Sequence, residues 1–468
     1  MKNNTIKGLL ELYRTKNTNP IEVIKLYIKH SKAVNPTLNA LLTICENEAL
    51  EQINNLKDTD LPLYGIPFTM KDTFMTKGIK TTAGSNVLSN YIAQYDATVY
   101  KELKNAGAIL IGKANCDAWG HGSSTENSDF GCTKNPWDTK YVAGGSSGGS
   151  AASVSSGMGI FSIGEDTGGS IRLPAAFCGT YGLKVTYGLV SRYGSIAYAS
   201  SLDTVGPIAQ SVEDIAQVLQ VIAGTDPYDA TSVRASTPNY YDELRKNMGT
   251  IKGTKIGIPK EYFIDGLDSE IKQKTESFLK ELEKNGAELI NVSLPSTKYS
   301  ISAYYLIAPS ETSSNLARFD GIRYGNDRSH FGAEAKRRMM LGSFTLSSGY
   351  YDDYYLKATK IRTLIKQDFE NVFKKVDFIV APTSPTPPFL IGEKMTDPLS
   401  MYLSDIFTIP VNLAGIPALS IPIGFTEEKL PLGIQLIGNI YEESKILSVG
   451  NQIEKVLGES PKVNEIKL

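Results

Sequence analysis

The sequence predicts an α/β protein: a single large domain with a mixed central β-sheet that helices cover on both faces. Short apolar segments alternate with longer helical patterns along the whole chain, which is typical of this class. No internal repeat and no polar linker divides the 468 residues. The glycine- and serine-rich stretch 143–194 is interleaved with apolar residues, unlike a flexible linker. One domain is therefore expected.

The predicted elements follow one another in regular order. Asn19 and Pro20 indicate the start of a helix, because asparagine caps helices and proline fits their first turn. Charged and apolar residues at helical spacing predict helices over 21–34, 36–55, 97–105, 150–156, 212–223, 269–285, 352–373 and 443–457. Short apolar segments predict strands over 63–70, 108–111, 160–163, 254–258, 288–292, 377–381, 418–425 and 433–437.

Composition excludes several classes of protein. The 48 Lys and Arg against 50 Asp and Glu give a formal net charge of −2, which argues against a polybasic nucleic-acid-binding chain. Four cysteines without a CxxC pair and three scattered histidines argue against a disulfide scaffold and a metal centre. No apolar stretch reaches the ~18 residues of a membrane span, and no signal peptide is evident. A reduced, cytoplasmic protein is expected.

The densest glycine cluster is GGSSGGS at 144–150. It lacks the Lys-[ST] of a phosphate-binding loop and the spacing of a dinucleotide loop. Its GxSxG pattern would fit the nucleophile elbow of an α/β-hydrolase, but no apolar strand precedes it, and only His330 follows as a histidine partner. An ordinary glycine-serine turn is the remaining alternative.

A second cluster, GEDTGGSIR at 164–172, follows a predicted strand and places Ser170 after two glycines. Such glycines allow several backbone N–H groups to converge on one point, as an oxyanion hole requires. A serine nucleophile also needs a base. Lys71 is the candidate, because it ends an apolar strand, and burial makes a lysine able to act as a base. The alternatives are that the glycines before Ser170 form an ordinary tight turn and that the Lys71 side chain reaches solvent.

Together these segments resemble the amidase signature family. The resemblance rests on GIPFTMKD at 65–72, GSSTENSDFGCTKNPWD at 122–138, GGSSGGSAA at 144–152 and DTGGSIRLPAAFCGTYGLKVTYGLVSRYG at 166–194. It implies the amidase signature fold over 1–468, with a catalytic core at about 60–210. One departure is Glu165, where the family more often has a small residue.

The resemblance also implies the catalytic roles. Lys71 would be the buried base, Ser146 the bridging serine, joined to Gly145 by a cis peptide, and Ser170 the nucleophile. The backbone N–H groups of Thr167, Gly168, Gly169 and Ser170 would form the oxyanion hole. No metal and no cofactor of this chain's own is implied.

Four further segments resemble the glutamine-hydrolysing subunits of tRNA-dependent amidotransferases, at 191–209, 310–325, 336–355 and 408–424. That resemblance implies a glutaminase that supplies ammonia for converting Glu-tRNA(Gln) to Gln-tRNA(Gln), a carbon–nitrogen ligase reaction. It implies a B subunit that uses ATP and Mg²⁺ and binds most of the tRNA, and a small C subunit. For glutamine it implies Arg338 at the carboxylate, Asp405 at the amino group and Tyr304, with Tyr305 as the adjacent alternative.

Two other functions stay open from the sequence. A stand-alone amidase of the same family would act on another small amide, and a non-catalytic scaffold would only bind a partner. The two charged substrate residues also have simpler interpretations: Arg338, within KRR, as a solvated surface charge, and Asp405 as a helix cap.

Overall fold

The computed structural model describes residues 4–233, 237–246, 250–323, 325–458 and 463. Its strands are β1 Leu41–Ile44, β2 Pro67–Lys71, β3 Ile109–Ala114, β4 Phe161–Asp166, β5 Tyr181–Lys184, β6 Thr204–Ala209, β7 Lys255–Pro259, β8 Glu288–Val292, β9 Phe378–Pro382, β10 Ala418–Phe425 and β11 Pro431–Ile437. Its α-helices are α1 Ile6–Arg14, α2 Pro20–Leu38, α3 Glu46–Asn55, α4 Thr98–Asn105, α5 Gly148–Ser155, α6 Arg172–Cys178, α7 Val212–Ile222, α8 Tyr240–Lys246, α9 Ser269–Lys284, α10 Ser300–Leu316, α11 Ala333–Thr345, α12 Lys357–Val372, α13 Pro398–Leu403, α14 Ile409–Ala414 and α15 Glu443–Leu457. Within these ranges no helix combines the length and the apolar character needed to span a membrane.

The strands form one mixed sheet in the order β1-β3-β2-β4-β6-β5-β10-β11-β9-β7-β8. Strand β2 runs parallel to both β3 and β4, and β7 runs parallel to β8 and β9. The central pairs from β4 to β9 are antiparallel. Because parallel neighbours end at the same edge, Lys71 at the end of β2 and Asp166 at the end of β4 lie on one side of the sheet.

Helices pack on both faces of this sheet. Along β9, Phe378 and Val380 join one hydrophobic core, whereas Ile379 and Ala381 join another. Successive strand side chains point to opposite faces, so both faces of β9 are buried. Helices α7 and α15 contribute to the first core and α10 and α12 to the second. The predicted fold class is confirmed.

The helix predicted over 21–34 begins close to its predicted start but ends later than predicted. Helix α2 begins at Pro20, and the Asn19 side chain accepts a hydrogen bond of 3.0 Å from the Glu22 N–H. It ends where Asn39 takes a left-handed conformation with φ 51°. The helix predicted over 36–55 is instead the end of α2, then β1, then α3. Strand β1 exists because it pairs with the distant β3, a contact that no local pattern reveals.

Several other elements differ from the prediction. Only the last part of 63–70 is strand, and β5 and β6 were not predicted. Pro207 lies inside β6, opposite Ile163, although proline usually argues against a strand. A π-helical turn, Asp352–Leu356, precedes α12 within the helix predicted over 352–373. The predicted domain bounds extend to residues 1–3, 459–462 and 464–468, outside the described residues, as does Tyr324 in the segment 310–325.

Candidate active site

Lys71 is buried at the end of a strand and contacts a serine from another loop. It is the last residue of β2, and it is only 1% exposed. Its Nζ donates a hydrogen bond of 2.8 Å to Ser146 Oγ. The lysine therefore does not reach solvent, and the structure brings together two residues that lie 75 positions apart.

Ser146 lies in the loop before α5, and its peptide bond to Gly145 is cis, as predicted. A Cβ atom at Gly145 would lie 2.2 Å from Asp117 Oδ2, so only glycine fits there. Asp117 in turn accepts hydrogen bonds from the N–H groups of Thr125 and Asn127, at 2.9 and 3.0 Å. Burial raises the pKa of Asp117 to about 7. Packing against the 117–127 segment thus fixes the position of the serine.

Ser170 lies in the tight loop between β4 and α6. Asp166 holds this loop by accepting hydrogen bonds from the N–H groups of Gly169, at 2.8 Å, and Ile171, at 3.1 Å. Arg172 Nε donates to the same carboxylate at 3.1 Å. Burial alone would raise the pKa of Asp166, but the Arg172 guanidinium and the hydrogen bonds lower it to about 2. The Asp166 carboxylate therefore stays charged and holds the loop in place.

The two serine loops touch. The Ser147 N–H donates to the Ser170 carbonyl at 3.2 Å. Ser170 itself is 7% exposed, and its hydroxyl makes no hydrogen bond to the residues that the structure describes. An accessible hydroxyl without a partner beside a buried lysine–serine pair is the arrangement that an activated nucleophile needs.

The four predicted oxyanion donors are not equivalent. The Gly169 N–H is already bonded to Asp166 Oδ1. The N–H groups of Thr167, Gly168 and Ser170 make no hydrogen bond within the described parts of the chain. Gly169 has a φ of +138°, and a Cβ there would lie 2.2 Å from Thr408 Oγ1. Three N–H groups are therefore free to bind an oxyanion, and Gly169 instead gives the loop its shape.

Arg338, on α11, is buried rather than solvated, at 3% exposed. Its Nε donates to Glu334 Oε1 at 2.8 Å, and its Nη1 donates to the Tyr198 hydroxyl. The guanidinium carbon lies 5.4 Å from the ring centre of Tyr305 and 5.7 Å from that of Tyr402. Glu334 balances the charge of this buried cation, while its Nη2 makes no hydrogen bond to the described residues and can donate to an anionic ligand group.

Asp405 is the anionic counterpart, and it is 7% exposed. Its Oδ2 accepts a hydrogen bond from the Ser123 hydroxyl, and its backbone carbonyl accepts from the N–H groups of Thr408 and Ile409. The carboxylate therefore does not cap α14. Burial raises the pKa of Asp405 to about 7, although the Ser123 hydrogen bond opposes the shift.

Tyr304 and Tyr305 contact different parts of the site. A Cβ at Gly168 would lie 2.8 Å from the Tyr304 ring, so Tyr304 covers the loop before Ser170. Its hydroxyl donates to the Tyr198 hydroxyl at 3.4 Å. Tyr305 instead stacks on Tyr402, with ring centres 3.9 Å apart, beside Arg338. Tyr304 thus lies nearest the proposed reaction centre.

The charged pair adjoins the serine loops. Thr408 joins them, because its Oγ1 donates to the Gly168 carbonyl at 2.7 Å while its N–H donates to the Asp405 carbonyl at 3.1 Å. On the other side, Tyr198 joins Tyr304 to Arg338. The site therefore has the Ser146 and Ser170 loops at one end and a fixed cation and a carboxylate beside them.

Several residues of this site were not assigned from the sequence. They are Tyr198, Glu334, Tyr402, Ser123 and His121. Ser123 lies within the segment GSSTEN that carries the family resemblance, so a signal for it existed. His121 packs its ring edge-on against Tyr198, and burial and the Arg338 charge lower its pKa well below the usual value. His121 is therefore neutral near pH 7.

None of these site residues lines the large surface cavity of about 740 Å³ that lies on another part of the molecule. That cavity is near α1, α4, α7 and α8, and its lining includes Leu10, Glu102, Gln217 and Tyr241. The hydrogen bonds, not the cavity volume, mark the candidate site. Within the described ranges, no group of three or more His, Cys, Asp or Glu side chains is placed to hold a metal ion.

Comparison with known proteins gives a consistent match over most of the chain. The amidase family model matches residues 22–447. The A subunit of the glutamyl-tRNA(Gln) amidotransferase from Persephonella marina is 51% identical over 473 residues, which covers 97% of each chain. The crystal structure of the same-named protein from Thermotoga maritima is 42% identical with a TM-score of 0.84, over 96% of this chain and 94% of that one. The native peptide amidase of Stenotrophomonas maltophilia is 25% identical with a TM-score of 0.81, over 96% of each chain.

Proposed function

The chain belongs to the amidase family, and we propose that it is the glutaminase subunit of a tRNA-dependent amidotransferase that converts Glu-tRNA(Gln) to Gln-tRNA(Gln). The observation that carries the proposal is the buried hydrogen bond from Lys71 to Ser146, beside the Ser170 loop and the Arg338–Asp405 pair. The amidotransferase relative from Persephonella marina is about twice as similar in sequence as the peptide amidase, at 51% against 25% identity.

The proposed reaction begins with a proton relay. Neutral Lys71 takes a proton from Ser146, which takes one from Ser170, and the Ser170 oxygen attacks the side-chain amide carbon of glutamine. The free N–H groups of Thr167, Gly168 and Ser170 bind the oxyanion that forms. The relay then returns the proton to the leaving nitrogen, and ammonia departs. Water releases glutamate from the Ser170 ester by the reverse relay.

The hydroxyls of Ser146 and Ser170 must come into hydrogen-bond contact for this relay. Catalytic hydrogen bonds are often incomplete until substrate binds. The Ser147–Ser170 backbone hydrogen bond keeps the two loops adjacent, and we expect side-chain rotation to bring the two hydroxyls together. Glutamine binding in the site is expected to favour that rotamer.

Substrate selection follows from the charges. The Arg338 guanidinium can bind the α-carboxylate of glutamine with two parallel hydrogen bonds, and Asp405 can bind the α-ammonium group. Tyr304 covers the space beside Gly168 and limits the size of the acyl group. Free amino acids carry both charges, whereas a simple amide carries neither, so this pair favours glutamine.

Glutamine binding is expected to weaken below about pH 7. Asp405 has a pKa raised to about 7, so its carboxylate is charged above that pH and loses its charge below it. The KM for glutamine should therefore rise by up to about tenfold for each pH unit below 7. The measurement is KM across about pH 5.5 to 8.5. Asp405→Asn should show a high KM that does not change with pH, and a KM in the unaltered protein that is flat across this range would contradict the role of Asp405.

We further infer the partners from the function. The carboxyl group of Glu-tRNA needs activation, so a B subunit would use ATP and Mg²⁺ and bind most of the tRNA, with a small C subunit joining the two. The near-zero net charge of this chain agrees with a minor role in binding phosphate. The complex would act in the cytoplasm, where tRNA is aminoacylated.

Partner subunits are expected to raise glutaminase activity. The lone chain should hydrolyse glutamine slowly, and B and C subunits with ATP and Glu-tRNA(Gln) should raise the rate roughly 5- to 150-fold, the range of a coupling of ~1–3 kcal/mol. The reason is that partner and acceptor must favour the competent arrangement of Lys71, Ser146 and Ser170. The measurement is glutaminase turnover by the lone chain and by the complex, with and without Glu-tRNA.

Ammonium provides the control for this prediction. Supplied in place of glutamine, it should allow a Ser170→Ala complex to amidate Glu-tRNA. If the lone chain already hydrolyses glutamine at full rate and no addition changes that rate, a stand-alone amidase is the better description.

A further inference from the structure

A buried carboxylate lies beside the catalytic lysine and has no part in the relay described above. Glu165 is the second-last residue of β4, next to β2, and it is 2% exposed. Its Oε2 lies 4.0 Å from Lys71 Nζ, and its Oε1 accepts a hydrogen bond of 2.7 Å from Ser195 Oγ. The Ser195 hydrogen bond fixes one oxygen and leaves the other facing the lysine.

This contact affects the chemistry of the relay in two opposing ways. The relay converts Lys71 from a neutral amine to an ammonium, and a nearby anion stabilises the ammonium. Glu165 therefore makes Lys71 a stronger base in the transition state. The same charge also favours the ammonium form of the resting lysine, so that a smaller fraction of the enzyme is ready to react.

We propose that Glu165 is a positioning residue that acts through Lys71: it stabilises the ammonium form of the lysine, which raises the maximal rate and moves the reaction to higher pH. The proposal rests on the proposed function in so far as Lys71 is the base. A small residue at position 165 would leave the lysine without this carboxylate.

Other ionisable groups near the pair come from neighbouring elements. They are Asp72 with its partner Lys113 at 3.1 Å, Cys116, Asp117, and Asp203 with Arg192. Burial and the negative charge of Glu165 raise the pKa of Asp203, whose carboxylate accepts hydrogen bonds from the Thr167 hydroxyl and from the N–H groups of Tyr198 and Ala199. Asp72 already has a cation of its own, which leaves Glu165 as the carboxylate that faces Lys71 within ion-pair distance.

The test uses Glu165→Gln, which removes the charge but retains an acceptor for Ser195, and Glu165→Ser, which removes both the charge and the bulk. The full-length chain is treated with phenylmethylsulfonyl fluoride at a series of pH values, and the rate of covalent labelling of Ser170 is followed by mass spectrometry. This reaction needs the relay but does not need glutamine or a partner. Asp214→Asn is the matched control, because Asp214 is a buried carboxylate on α7, remote from Lys71.

The labelling rate rises with pH on the acidic limb of its profile. In both Glu165 variants this limb should lie at lower pH by roughly 1 to 3 units, because one negative charge next to Lys71 has been removed. Their labelling rates at high pH should fall by about 3- to 30-fold. The reason is that Lys71 is a weaker base without the Glu165 charge, and the proton is about half transferred to it in the transition state. The Asp214→Asn profile should match that of the unaltered protein.

A merely structural role for Glu165 would lower the rate without moving the limb, and that result overturns the proposal. If Glu165→Gln does not fold, Glu165→Ser decides the question in the same assay. Absence of labelling at Ser170 in the unaltered protein would instead overturn the assignment of the nucleophile, and with it this inference. An unshifted limb with normal labelling contradicts the role of Glu165 alone.

Discussion

Ser170→Ala is expected to abolish glutamine hydrolysis while leaving the fold intact. In the proposed relay this hydroxyl is the group that forms the ester with the substrate. Residues of a catalytic triad act as a unit, so the loss should be roughly 10³-fold or more. The hydroxyl makes no hydrogen bond to the described residues, so its removal should cost the fold little.

The measurement is steady-state release of glutamate and ammonia by the complex, with thermal unfolding as the test of folding. Ser313→Ala is a matched control, since among the described residues its hydroxyl bonds only to the Ser310 carbonyl of its own helix, at 2.9 Å. The control should retain nearly full activity. Near-normal hydrolysis by a folded Ser170→Ala protein would remove Ser170 from the mechanism.

Lys71→Arg should be almost as damaging as Lys71→Ala, with a loss of roughly 10³-fold or more for each. The relay needs a neutral amine, and a guanidinium stays protonated in proteins. Arginine is also larger than the space, because Lys71 is 1% exposed and its Nζ is 2.8 Å from Ser146 Oγ. An arginine at position 71 therefore carries the positive charge but is not expected to accept the proton from Ser146.

Kinetics of the two variants, measured beside the exposed Lys336→Arg, test this expectation. Within the part of the chain that the structure describes, the Lys336 ammonium bonds only to the Ser329 carbonyl, at 3.0 Å, so its replacement should change little. Substantial activity in Lys71→Arg would mean that the lysine serves as a fixed charge and that the base lies elsewhere.

The parts of the fold that were predicted correctly have strong local patterns. Strands over 418–425 and 433–437 were predicted, and β10 and β11 pair antiparallel from Ala418 opposite Ile437 to Phe425 opposite Pro431. Helix α15 has the predicted bounds, 443–457. The two strands are short, mostly apolar segments, and α15 repeats its apolar residues with the period of a helix.

Two of the helices that were missed, α10 and α11, lack such a period. Helix α10 is buried over most of its surface, including Ala303, Tyr304, Ile307 and Pro309, so apolar residues do not repeat every three or four positions. Its stability comes from packing against α11 and α12, which the local sequence does not encode. Helix α11 was missed for a related reason, since its core-facing residues include the charged Arg338.

The site was predictable where a motif specified it and not where distant contacts built it. Lys71 and Ser146 follow from the family resemblance, and the structure places them in contact. Tyr198 bonds to Arg338 across 140 residues, and Ser123 bonds to Asp405 across 282. The local sequence around one residue does not predict such a partner, because the contact depends on how the sheet and α11 are arranged.

Covalent trapping tests the central claim, that Ser170 is the nucleophile of a lysine–serine relay, most directly. The complex is exposed to a glutamine-like electrophile, and the intact chain and its peptides are weighed. One acyl group, on Ser170, is the predicted result, and Lys71→Arg should prevent its formation. An adduct on another residue, or no adduct in a preparation that hydrolyses glutamine and loses that activity to the electrophile, would contradict the account.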